Sequence, residues 1–115
     1  MQNLVSGTVF KGKIEDDAYA ENGVFVITGM ITGSFEVKKG AQVTLRGMVC
    51  GDTVTEDGSN LNVTGMINGC LIVKGGTVEV SGMINKDLVN QGGQVVLHKV
   101  AKVLGKVIGE CKTVN

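Results

Sequence analysis

The side chains that could perform acid–base, nucleophilic or metal chemistry are few and scattered. His98 is the one histidine, and an imidazole titrates near neutrality, so it could serve as the general base of an acyl transfer. No carboxylate at a motif spacing accompanies it to orient the ring, and the competing reading is a solvated turn residue. Cys50, Cys70 and Cys111 are odd in number with no paired spacing. They make neither a disulfide framework nor a zinc site, and none has a histidine nearby in sequence to activate it, so they read as buried or inert thiols. Glu15, Asp16, Asp17 and Glu21 form a small acidic cluster that could bind a cation or a basic surface, against the simpler reading of a solvated loop. Abundant glycine invites a nucleotide reading. It fails because no glycine cluster joins a strand to a helix with the Lys-Ser/Thr or G-x-G-x-x-G context that cradles phosphate. The aromatic residues are Phe10, Phe25, Phe35 and Tyr19, too few for a nucleic-acid stacking platform. The sequence therefore predicts no catalysis, no cofactor, no metal and no nucleic-acid partner.

Composition indicates the backbone that must position these groups. The chain has 115 residues, enough to bury a core without disulfides or metal. Its 11 basic and 11 acidic residues cancel, so nothing draws it broadly toward nucleic acid, anionic membrane or an acidic substrate. Proline is absent, 18 glycines are present, and Val, Ile and Thr are abundant between them. β-Branched residues favour strands, and glycines at this density become corners, where φ turns positive or no side chain fits. The unpaired cysteines, the absence of a basic or apolar leader in Met1–Gly7 and the lack of any membrane-length apolar run point to a cytoplasmic protein for which membrane attachment is not expected.

A repeat organises the whole chain. Gly-Met-[Ile/Val]-x begins at Gly29, Gly47, Gly65 and Gly82, at spacings of 18, 18 and 17, and a weaker Gly-Thr-Val-Phe opens at Gly7. Eleven residues past each of the four comes another glycine, at Gly40, Gly58, Gly76 and Gly93. Aliphatic residues hold even offsets from the leading glycine: Phe25 and Ile27, Val43 and Leu45, Leu61 and Val63, Val78 and Val80, Val95 and Leu97 before it, then Ile31, Val49, Ile67 and Ile84 after it. Phe35, Thr53, Leu71 and Leu88 follow four residues later. Even offsets are the period-two signature of strands with one buried face. Identical motifs at identical offsets favour a solenoid over a β-sandwich, and no segment before about residue 99 sustains a helical period. The fold predicted is all-β, a single-stranded β-solenoid of about six coils of 17–18 residues in one domain, 1–115, and about 30 Å long. Its first coil contains a polar bulge at 15–22, and a degenerate capping coil, 99–115, has Lys99 where the leading glycine should stand. Positions 31, 37, 43, 49, 61, 67 and 73 are aliphatic at steps of six with Thr55 in the gap, a spacing that left-handed β-helices share, so the hand stays open.

The segments GVFVITGMITGSFEVKKGAQVTLRGMVCGD and NVTGMINGCLIVKGGTVEVSGMINKDLV resemble bactofilins, bacterial proteins with a polymer-forming β-helical domain. The likeness covers roughly residues 5–109 and rests on the repeated G-x-[IV]-x-G-x-[LFT] and the G-x-[VL]-x-[VL] that follows. It implies a right-handed, triangular β-helix that polymerises end to end without nucleotide as a cytoskeletal scaffold. Bactofilins usually carry disordered tails, often with a membrane-targeting segment, whereas about six residues precede the first coil here, and the repeated methionine is not a family feature.

Two surfaces follow from the repeat. Met30, Met48, Met66 and Met83 hold one odd-offset position in four coils and form a ladder along the rod, which either faces outward as a soft apolar stripe for a partner or fills core space at the glycine kink. Val5, Val9 and Phe10 lie toward one end of the solenoid and Val103, Val107 and Ile108 toward the other, where unpaired backbone invites stacking of copies. The leading expectation is a self-associating scaffold whose partner is itself. The alternative is a small binding module, such as an immunity or adaptor protein, that docks another protein through one solenoid face. An acyltransferase-like enzyme with His98 as base comes third.

Overall fold

Alternating apolar and polar residues put every second side chain on one face of an extended strand, and glycines every few residues let the strand turn before it outgrows that face. A computed structural model describes residues 2–3, 9–10, 12–15 and 17–114, in which the chain winds through about six turns with no helix. Each turn lays one strand into each of three parallel sheets. The first sheet contains Ala18–Ala20, Phe35–Val37, Thr53–Thr55, Leu71–Val73, Leu88–Asn90 and Val107–Ile108 in spatial order, with Gln2–Asn3 at its edge. The second runs Val9–Phe10, Gly23–Ile27, Ala41–Leu45, Asn60–Val63, Thr77–Val80, Gln94–His98 and Lys112–Val114. The third stacks Lys13–Ile14, Met30–Ile31, Met48–Val49, Met66–Ile67, Met83–Ile84 and Lys102–Val103. The predicted β-solenoid is the observed fold, three-sided in section, with principal extents of 31 × 24 × 22 Å.

The core is the column of even-offset residues. Ile31, Val49, Ile67 and Ile84 stack from the third sheet, Phe25, Val43, Leu61, Val78 and Val95 from the second, and Phe35, Thr53, Leu71 and Leu88 from the first, all buried. Burying each such aliphatic side chain contributes roughly 1.5–3 kcal/mol, and in a stack that contribution couples neighbouring coils. Every member of the six-residue series from Ile31 to Val73, Thr55 included, is inside.

Coil length varies at one corner. Between the first and second sheets the inward positions step by six residues in the 18-residue coils, from Val37 to Val43 and from Thr55 to Leu61. They step by five in the 17-residue coils, from Ala20 to Phe25, Val73 to Val78 and Asn90 to Val95. Gly40, Gly58 and Gly76 at this corner have φ of 82°, 77° and 82°, the left-handed region that glycine enters without steric cost. Gly93, the fourth of the series, is not left-handed; a Cβ there would press on Val73 and the Gly76 carbonyl.

Both terminal coils depart from the sequence reading. Within the expected polar bulge at 15–22, residues 18–20 form a strand of the first sheet. Ala18–Ala20 pairs with Phe35–Val37, and Ala18 and Ala20 are fully buried beneath the bulkier Phe35 and Val37. The leading position of this coil belongs to Gly12, not Gly7, because Lys13–Ile14 is in register with Met30–Ile31. Anchoring on Gly7 made a 17-residue coil look about four residues too long. In the last coil Ala101, not Lys99, occupies the leading-glycine position, since Lys102 pairs with Met83. Lys99 and Val100 are two extra residues in the corner, held by a hydrogen bond from the Ala101 amide to the His98 carbonyl.

Candidate functional site

The methionine ladder forms on the third sheet, where Met30, Met48, Met66 and Met83 pair Cα to Cα in adjacent strands. Each methionine is half-buried while the following Ile or Val is buried, so the ladder faces outward. Lys13 and Lys102 continue the row at its two ends. Beside it runs the leading-glycine row. A Cβ on Gly47 would overlap the Gly29 carbonyl, one on Gly65 the Gly47 carbonyl, and one on Gly82 the Gly65 carbonyl. Close backbone approach is why glycine recurs here, and it leaves a trough. The resulting shallow groove, about 630 Å³, is floored by Gly29, Gly47 and Gly65 and walled by Met30, Met48 and Met66 on one side and Thr28 and Arg46 on the other, with Lys13 at one end.

On the far side of the ladder, Thr32, Cys50, Asn68 and Asn85 form a parallel row. Cys50 Sγ lies 3.9 Å from Met48 Sδ. The Asn68 side-chain amide donates to Met48 Sδ at 3.5 Å, and Asn85 donates to Asn68 Oδ1 at 2.6 Å and contacts Met66 Sδ at 3.8 Å. The sequence reading missed this row, although Asn68 and Asn85 hold the same offset from Gly65 and Gly82 that Cys50 holds from Gly47.

The C-terminal end of the solenoid exposes large apolar side chains. Val100, Leu104, Val107 and Ile108 are 70, 64, 45 and 49% exposed, and Val24 is the other large aliphatic so exposed among the described residues. Val103 and Val107 stack on Ile84 and Leu88, at the open top of the core column, and with Leu97 and Thr113 they line a depression of about 370 Å³. Cys111 is partly buried against the core, and that burial pushes its thiol pKa up. Val9 and Phe10 pair with Val26 and Ile27 at the opposite end, and Val5 lies outside the described residues. The structure thus places Val9 and Phe10 at one end, Val103, Val107 and Ile108 at the other, and the ladder on the face between them.

The remaining candidates are dispersed. His98, at the end of a strand, has Nε2 3.6 Å from Glu79 Oε2, with both side chains partly exposed. Glu79 is the carboxylate that local spacing could not reveal, because it lies one coil earlier on the same face. Within the acidic cluster, Asp17 Oδ1 accepts a hydrogen bond from the Ser34 amide at 2.8 Å, and Glu15 pairs with Lys13 at 3.3 Å. Asp52 and Asp87 repeat the role of Asp17, accepting from the amides of Cys70 and Lys106 one coil on. These aspartates close corners. Cys50, Cys70 and Cys111 are free thiols. Among the described residues no three His, Cys, Asp or Glu side chains group as metal ligands, and no helix is long and apolar enough to cross a membrane. No family model, curated protein or solved structure matches this chain.

Proposed function

We propose that the chain is a non-catalytic structural protein whose solenoids stack end to end, a scaffold of the bactofilin-like kind working in the cytoplasm. The observation that carries this reading is the uncovered end of the core, where Val103 and Val107 continue the interior column and Val100, Leu104 and Ile108 surround it. Strand edges at such an end present backbone groups in the spacing that another coil would extend, and apolar side chains beside them supply the association energy. Sedimentation velocity over a wide concentration range, with negative-stain electron microscopy, tests it. Assemblies should grow with concentration, and Val107→Asp should reduce them to monomers. A wild-type chain that stays strictly monomeric at high concentration overturns it.

A second reading, a binding module that docks another protein through one face, draws on the groove beside the methionine ladder. It expects a stable monomer or dimer whose capture of a partner is lost on Met48→Asp or Met66→Asp, with end substitutions such as Val107→Asp leaving capture intact.

A further inference from the structure

We infer that the outer face of the third sheet holds a soft-metal site, in which Met48, Cys50 and Met66 bind one copper(I) ion through sulfur. Two ligands of one ion must be separated by a distance that the metal–sulfur bond length and a trigonal or tetrahedral angle allow. With bonds of about 2.3 Å, sulfurs 3.9 Å apart subtend about 116° at the metal. Met48 Sδ and Cys50 Sγ are therefore already at chelating separation, without a change of backbone. Met66 pairs directly with Met48 in the adjacent strand, with the two backbones about 4.8 Å apart, so a rotation of its long side chain brings its sulfur to the same ion.

Neighbouring amides hold the sulfurs in place. Asn68 donates to Met48 Sδ, and Asn85 is hydrogen-bonded to Asn68 while touching Met66 Sδ, so one pair of side-chain amides restrains both thioethers. A thioether sulfur has two lone pairs; at Met48 one accepts from the Asn68 amide and the other from the Cys50 S–H, so loss of the Cys50 proton on binding frees the second for a metal. Such outer contacts orient ligands in metal sites generally. The donor chemistry selects the ion. Thiolate and thioether are soft ligands that favour copper(I), whereas calcium and magnesium need oxygen donors and zinc needs several thiolate, imidazole or carboxylate ligands, and no three His, Cys, Asp or Glu side chains group among the described residues. Half-burial of the methionines leaves an approach from solvent.

On binding, the Cys50 S–H bond breaks, a copper–sulfur bond forms, and the proton passes to water; no electron is transferred. The site is separate from the solenoid ends, so it stands or falls independently of end-to-end stacking.

The test is an anaerobic titration of the full chain with copper(I) in competition with a chromophoric copper(I) chelator. The wild type should retain one equivalent. Cys50→Ser and Met48→Leu should each weaken binding tenfold or more, Met66→Leu should weaken it measurably, and Cys70→Ser and Cys111→Ser should change nothing. Far-ultraviolet circular dichroism of each variant monitors the fold, and X-ray absorption of the loaded protein should show only sulfur neighbours at about 2.3 Å. Release of all copper to the chelator, full affinity in Cys50→Ser or Met48→Leu, or an equal loss in Cys70→Ser overturns the assignment.

Discussion

Thr53 and Thr55 are adjacent inward positions of one strand, both fully buried, and they differ in one respect. Thr55 Oγ1 donates to the Gly75 carbonyl at 3.0 Å, while Thr53 Oγ1 has no hydrogen-bond partner. A buried hydroxyl without a partner carries its full desolvation penalty of about 1–3 kcal/mol. Thr53→Val, which replaces that hydroxyl by a methyl between Phe35 and Leu71, should raise stability by about 1 kcal/mol. Thr55→Val should lower it by a similar amount, because the Gly75 carbonyl loses its donor. Urea denaturation of the two variants measures both signs. At the leading-glycine row the constraint is steric. Gly47→Ala should cost about 3 kcal/mol, since the new methyl meets a backbone carbonyl that no side-chain rotation can move. Thermal or chemical unfolding would show it, and a neutral outcome would mean that the glycine rows are not in close stacking.

At the scale of the strand, most of the architecture was legible because the constraint is one-dimensional. Period-two alternation names the buried face, glycines name the corners, and a repeated offset says that copies stack; Phe25 to Val95 follow these rules without exception at the four inward offsets of the leading glycines. The rules failed where the anchor residue was missing. Gly12 opens the first coil without a methionine after it, so Gly7 looked the better anchor and Ala18–Ala20 was assigned to a bulge. Alanine gives a weak hydrophobic signal, yet here it is the size that fits under Phe35. Ala101 replaces the leading glycine in the last coil, and two extra residues precede it, which moved the expected boundary to Lys99. The cluster of Met48 with Cys50, Asn68 and Asn85 was less legible. Its members lie in three different coils, and only the register between strands brings them to one face.

The whole molecule behaves as a stack in which each coil touches chiefly its neighbours, so its stability should divide by coil. Removing residues 48–65 joins Gly47 to Met66, which then takes the place that Met48, its partner in register, held. The shortened chain should fold with the same sheets and a rod about 4.8 Å shorter, and small-angle scattering with circular dichroism would check both. Loss of β-structure on this deletion would show that the coils are not interchangeable. Function was the least legible level, because the repeat specifies the interior and leaves the exterior free. The methionine ladder was identifiable from its repeated offset, whereas its outward direction, its half-buried state and the groove depend on how the chain turns and how closely the glycine rows stack.

The corner between the first and second sheets, where coils differ by one residue without disturbing any inward row, has an evolutionary consequence. It is a site of tolerated insertion and deletion, a hinge in sequence length that the other corners of the central coils lack. A lineage can lose or gain a residue beside Gly40, Gly58 or Gly76 and keep its core, so distant copies of this coil would drift out of any fixed-period alignment while remaining superimposable in space.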